Sequence, residues 1–210
     1  MLPLSESIPK PLLPGLDDCL LKQQVRFIRD HVKKLSVTVG YRGDAVKSAA
    51  LNFGVDAVVD IGTGGNASWI HSSELGLLDT PTLIITCDNI MSVDLGKLKQ
   101  EVDDSPGNAF IVPIEKDRAF PGDRMEVIEN RISAMGPLHN SSILASGLQV
   151  MIPSVVRRRR GDVEDFSEAW ADLISHKELV LSQVRPDSWV AIDTPADLAL
   201  WSESRREITP

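Results

Sequence analysis

The stretch "PTLIITCDN", residues 81–89, decides how the rest of the chain is read. Its centre is an almost unbroken run of apolar and β-branched residues without polar alternation. That is the pattern of a strand buried on both faces of a parallel sheet. The run stops abruptly at Asp88.

Working outward, helical and strand patterns alternate. Upstream, Leu21, Val25, Ile28 and Val32 recur at i, i+4, i+7 and i+11 within residues 20–34, forming one apolar helical face. "LSVTVGY" (35–41) reads as a strand, "GDAVKSAALNFG" as a helix ending at Gly54, and "VDAVVD" (55–60) as a second strand. "GTGGN" then opens a helix expected over 67–78. Downstream, Asp94 can cap "LGKLKQEV", and "NAFIVPI" is a fourth strand. This alternation predicts a doubly wound, mostly parallel mixed α/β sheet.

Beyond Glu115 the pattern loosens. "RMEVIE" and "ILASGLQVMI" read as strands without regular helices between them. "FSEAWADLI" sets Phe166, Ala169, Trp170, Leu173 and Ile174 on one helical face, so Trp170 is expected in the core, as is Trp201. "ELVLSQV" and "SWVAI" are late strands, and "TPADLALWSES" a closing helix with Pro195 in its first turn. No repeat or linker interrupts the chain, and a single domain over residues 1–210 is expected.

The formal net charge of −8 argues against nonspecific binding to nucleic acid or an anionic membrane. Cys19 and Cys87 are too few for a disulfide framework, and Cys87, ending "TLIITC", reads as a buried free thiol. The start "MLPLSESIPK" lacks the basic and apolar regions of a secretory signal, and no apolar run approaches the ~18 residues of a membrane span. A cytosolic protein is expected.

Four places carry candidate chemistry. In "IPKPLLPG" (8–15), prolines on both sides of Lys10 fix the backbone around one positive charge, which suits an anionic ligand and equally an ordinary surface loop. "GTGGN" (62–66) follows a strand, where glycine amides can approach a ligand; the plainer reading is a turn capped by Thr63 or Asn66. Asp88 and Asp193 each end an apolar strand, and a carboxylate there must be capped, paired or metal-bound. For Asp193 an N-cap of the following helix is the alternative. Two such carboxylates can share one Mg2+, which commonly takes one or two carboxylates plus phosphate oxygens and water. His31, His71, His139 and His176 show no metal-site spacing, and "RRRRG" (157–161) reads as a solvated helix end.

Taken together, "PLSESIPKPLLPGLDDCLL", "GTGGNA", "TCDNI", "ASGLQVMIP" and "WVAIDTPADL" occur in the order found in sugar-phosphate nucleotidylyltransferases. The chain resembles this NTP transferase family along nearly its whole length. The resemblance implies a nucleotide-diphospho-sugar transferase-like fold. It also implies Mg2+-dependent transfer of a nucleoside monophosphate from an NTP to a sugar 1-phosphate, with release of pyrophosphate. The partners implied are an NTP and a sugar 1-phosphate, not nucleic acid or membrane, with a homo-oligomer left open. By the same resemblance Lys10 contacts the phosphates, Gly62, Thr63 and Gly64 lie against base or ribose, Asp88 and Asp193 hold the metal, and Asn89 and Gly147 lie near the sugar. A sugar phosphate is largely ionised at neutral pH, its second pKa being about 6, so no protein base is required.

The sequence also departs from the family. The family opens with a strand and a glycine-rich loop of the form L-A-A-G-x-G-(T/S)-R, and here Met1 falls where that loop should be ending, so the first strand is expected to be missing. Asp18 stands in place of a lysine and Cys19 in place of a proline. The explanation preferred is a fragment with a misplaced start, because Lys10, Asp88 and Asp193 are all retained, and the 210 residues as given are expected to be weak catalysts or inactive. The alternative is a noncatalytic homologue that binds a nucleotide or sugar phosphate or regulates a partner. A glycosyltransferase is disfavoured because "TCDNI" lacks D-x-D spacing.

Overall fold

A computed structural model describes residues 8–15, 18–117, 120–136 and 141–204. His139, and residues 1–7 on which the missing-strand expectation rests, lie outside them. The first half runs α1 (Leu20–Ile28), β1 (Ser36–Val39), α2 (Gly43–Asn52), β2 (Ala57–Asp60), α3 (Trp69–Ser72), β3 (Thr82–Ile85), β4 (Asn89–Ser92), α4 (Leu95–Asp104) and β5 (Ala109–Glu115). The second half runs β6 (Arg124–Ile128), β7 (Arg131–Gly136), β8 (Ile143–Met151), α5 (Pro153–Arg159), α6 (Phe166–Ser175), β9 (Leu179–Leu181), β10 (Ser188–Ala191) and α7 (Pro195–Ser204). No helix among the described residues is long and apolar enough to cross a membrane.

By internal contacts the chain forms two units. The first comprises Met1–Thr63, Thr86–Ser92 and Ser188–Pro210, the second Gly64–Ile85 and Val93–Asp187. In the first, β1 and β2 pair in parallel from Ser36 with Ala57 to Val39 with Asp60, while β10 and β4 pair antiparallel. Helix α1 buries Leu20, Leu21, Val25 and Ile28, as its periodicity predicts, but ends at Ile28 and continues only as a 3-10 turn, Arg29–His31. Leu20, Ile192 and Trp201 form a buried cluster with Ile90 and Leu198 against it. Trp201 is thus a core residue, and a Cβ at Gly15 would stand 2.3 Å from its ring.

The second unit carries a six-stranded sheet in the order β3-β8-β5-β9-β7-β6. The α/β class is as expected, but the parallel majority is not. Strand β8 runs antiparallel to both β3 and β5, β6–β7 is a hairpin, and among the described residues only β5–β9 is parallel within this sheet. Strand β3 stands first in that order and is half-buried throughout. For "TLII" neither burial on both faces nor parallel pairing is found, because apolarity without alternation fixes neither a strand's place in the sheet nor its direction.

Strand β7 was not anticipated. It follows a two-residue turn in which Glu129 and Asn130 both have positive φ, at 49° and 66°, the mirror-image geometry that matches hairpin twist. The helix expected over 67–78 is instead the short α3 and a 3-10 turn, Glu74–Leu77. Gly76 explains the break: a Cβ there would lie 1.7 Å from the Ile70 carbonyl oxygen, so the chain doubles back onto α3.

The arginine run closes α5 as a helix end with Arg158 and Arg159 exposed, as expected, and its side chains are also bonded within this unit. Arg157 donates to the carbonyls of Ile70 and Ser73, Arg158 pairs with Asp79, and Arg159 grips both oxygens of Glu178. Trp170 is half-buried and donates its indole N–H to Gln149 at 2.8 Å.

Candidate active site

In the first unit Lys10 lies on a single 3-10 turn, Lys10–Leu12, entered from Pro9 at φ −55° with Pro11 in the first helical positions. Leu13, 1% exposed, anchors the turn in the core. The backbone that the prolines fix around Lys10 is therefore one short 3-10 turn.

Asp88 stands on the turn between β3 and β4. The Asn89 side-chain amide donates to Thr86 Oγ1 and, at 2.8 Å, to Asp88 Oδ1. Behind the turn lies Gln24 of α1, only 6% exposed, whose amide nitrogen donates to the Thr86 carbonyl at 2.6 Å and the Asn89 carbonyl at 3.0 Å. Neither role was read from the sequence. The signal for Gln24 was a polar residue on the face made by Leu20, Leu21 and Val25.

The β4–β10 ladder pairs Asn89 with Ala191, and Ile192 N–H donates to the Asp88 carbonyl at 2.9 Å. The two carboxylates distant in sequence are thereby placed on adjoining backbone. The N-cap alternative for Asp193 falls away. Thr194 Oγ1 accepts from Asp197 N–H at 3.1 Å, and the Asp197 carboxylate accepts from the amides of Asp193 and Thr194. This is a capping box with Pro195 at the first helical position, and T-P-A-D was its overlooked signature.

Both carboxylates meet Lys10. Its ammonium lies 3.1 Å from Asp88 Oδ2 and 2.9 Å from Asp193 Oδ1. Burial alone would lower the pKa of Lys10, but the hydrogen bond it donates to Asp193 and the charge of Asp88 outweigh it and raise it above the ordinary lysine value. Beside it Cys87, half-buried, has its thiol pushed up to about 11 by desolvation, reinforced by the Asp88 charge. That thiol is unsuited to nucleophilic chemistry at neutral pH.

Among the described residues no group of three or more His, Cys, Asp and Glu side chains gathers as a metal site. Two carboxylates converging on one cation fit Mg2+, which leaves its remaining positions to phosphate and water, better than a metal needing a full protein cage.

Gly62 follows β2 with φ 59°, and its amide already donates to Asp60 Oδ1 at 2.8 Å. A Cβ at Gly40 would stand 2.8 Å from the Gly62 carbonyl oxygen, so the ends of β1 and β2 approach closely. Thr63 is exposed in the same unit. Gly64 and Gly147 belong to the second unit. There Gly65 N–H donates to Glu164, and Gly147, φ 84°, occupies an irregular stretch of β8 where the β5 register shifts. The amide of Gly62 in the first unit and that of Gly65 in the second each already have a carboxylate partner.

Asp18, standing where a lysine was expected, is paired with Lys22 at 2.7 Å and with Arg26. Its carboxyl is held below the usual range, chiefly by Lys22.

No protein-family model matches the sequence, and no curated protein does. Solved structures do match. A Bacillus anthracis protein designated a glucose-1-phosphate thymidylyltransferase, solved with sucrose, superposes with TM-score 0.81 at 16% identity, over 100% of this chain and 92% of that one. HddC from Yersinia pseudotuberculosis, solved with GMP-PN, gives 0.74 at 14% identity, covering 94% and 90%. A UDP-glucose pyrophosphorylase solved with UDP-glucose gives 0.73 at 15% identity, covering 100% and 94%. The chain therefore has the mixed α/β fold of nucleotidylyltransferases, the nucleotide-diphospho-sugar transferase-like fold.

Proposed function

We propose that the protein transfers a nucleoside monophosphate from an NTP to a sugar 1-phosphate, releasing pyrophosphate. The observation that carries this reading is the meeting of Lys10 with Asp88 and Asp193 at 3.1 and 2.9 Å, within a fold shared with enzymes of that class. The sugar phosphate oxygen forms a bond to the α-phosphorus as the bond from that phosphorus to the bridging oxygen of pyrophosphate breaks. The nucleophile is ionised beforehand, so the protein's work is alignment and charge neutralisation.

Lys10 would contact the phosphates, and its raised pKa keeps it cationic across the neutral range. Asp88 and Asp193 would hold Mg2+, which when bound supplies charge neutralisation at the phosphates. Asn89 and Gln24 hold the Asp88 turn in register. Gly62, Thr63 and Gly64 would lie against base or ribose, and the carboxylate already on the Gly62 amide favours such a neutral group over a phosphate. Asn89 and Gly147 would lie near the sugar.

A second reading, a homologue that binds these ligands without turnover, draws on Asp18 in place of the lysine. The test is pyrophosphate release from each common NTP with a panel of sugar 1-phosphates and Mg2+. Release requiring both substrates supports transfer. Ligand binding without release in any combination would move the reading to the noncatalytic homologue.

A further inference from the structure

Asp88 presents Oδ1 to Asn89 and Oδ2 to Lys10, while Asp193 presents Oδ1 to the same ammonium. Lys10 thus bridges the pair that would hold the metal. A divalent ion binding both carboxylates at the ~2.0–2.1 Å of Mg–O contacts would compete for those oxygens and stand a few ångströms from a positive charge. The side chains of Lys10, Asp88 and Asp193 are 23%, 30% and 60% exposed, so solvent screens the repulsion less on the Asp88 side than on the Asp193 side.

We propose that Lys10 is a resident cation of the site, holding Asp88 and Asp193 together until a phosphate-bearing ligand draws it away. Metal and phosphate then bind with positive coupling: the phosphate oxygens give the ammonium a new partner, and its departure opens both carboxylates to the metal. A metal ion alone binds poorly. This inference rests on the reading of Asp88 and Asp193 as the metal-holding pair.

The test is titration with Mn2+ alone, no nucleotide present, followed by electron paramagnetic resonance of the free ion. Lys10→Met should bind Mn2+ about tenfold more tightly than the unaltered protein. Lys10→Arg, which keeps the charge, should bind as weakly as the unaltered protein. Circular dichroism and tryptophan fluorescence check folding, and Lys10→Gln replaces Lys10→Met if the latter does not fold. Equal or weaker Mn2+ binding without the lysine charge overturns the proposal, as does a gain in Lys10→Arg equal to that of Lys10→Met. Adding Asp88→Asn to Lys10→Met should abolish the gain. If the gain survives, Asp88 is not a metal ligand, and the reading beneath the proposal fails with it. Mg2+-dependent turnover by the unaltered protein, together with unchanged Mn2+ affinity in Lys10→Met, would overturn the resident cation alone.

Discussion

The amide of Ile192 donates to the carbonyl of Asp88 at 2.9 Å, and this backbone bond brings the residue after Ile192, Asp193, beside Asp88. Each carboxylate then reaches the same ammonium through its own side chain. The site therefore depends on two levels of structure, a strand ladder that sets the spacing and small polar contacts that aim the oxygens.

If Asp88 and Asp193 hold the metal, replacing either with asparagine keeps the size and removes the charge. Turnover in the pyrophosphate-release assay is expected to fall by at least ~10²-fold in each variant, the order found when a key electrostatic group is lost. An unchanged rate in either variant would remove that residue from the metal-holding role.

Gln24→Leu removes the amide that serves the turn, leaving the Asn89 carbonyl without its buried donor and the Thr86 carbonyl with only the Asn89 N–H at 3.5 Å. The expected destabilisation is about 2 kcal/mol, because a buried acceptor left unpaired costs about 1–3 kcal/mol. Urea unfolding reads this directly. A midpoint equal to that of the unaltered protein would mean that water or another donor serves the turn.

Thr194→Ala removes the oxygen that accepts from Asp197 N–H. Loss of a helix N-cap costs about 1 kcal/mol, so α7 should be weakened by that amount while Thr194→Ser retains most of the stability. Urea midpoints of the two variants should therefore separate, and coincident midpoints would dismiss the cap.

Asp56 lies outside the site and gives a pH dependence that can be isolated. Its carboxyl accepts from Arg29 at 2.6 Å and from Leu35 N–H at 2.7 Å, and Arg29 first, then Leu35, hold its pKa below the ordinary value. The unfolded chain takes up the proton first as pH falls. The contribution is therefore fully present above the ordinary carboxyl pKa of about 3.9 and is lost as pH falls through the lower folded value. Thermal unfolding of Asp56→Asn should lose less stability between pH 5 and pH 3 than that of the unaltered protein. Parallel pH profiles would show that Asp56 does not titrate differently on folding.

Much of this was legible in local chemistry. The face of α1 follows from Leu21, Val25 and Ile28, and a carboxylate closing each of two apolar strands singled out Asp88 and Asp193. Gln24 was not legible, because a glutamine among leucines shows only that some buried polar partner is required, not which one. Strand β7 escaped because its hairpin turn uses Glu129 and Asn130 in left-handed conformations without a glycine to announce them.

Sequence alone determined the α/β class and which residues carry charge at strand ends, because periodicity and abrupt polarity changes are properties of neighbouring residues. Tertiary structure decided that β8 runs antiparallel to β3 and β5, that Arg157 bonds the carbonyls of Ile70 and Ser73, and that one lysine joins two remote aspartates. Those outcomes depend on strand register and on which buried polar groups find partners. Both are settled only when segments distant in the chain compete for the same hydrogen bonds and the same space.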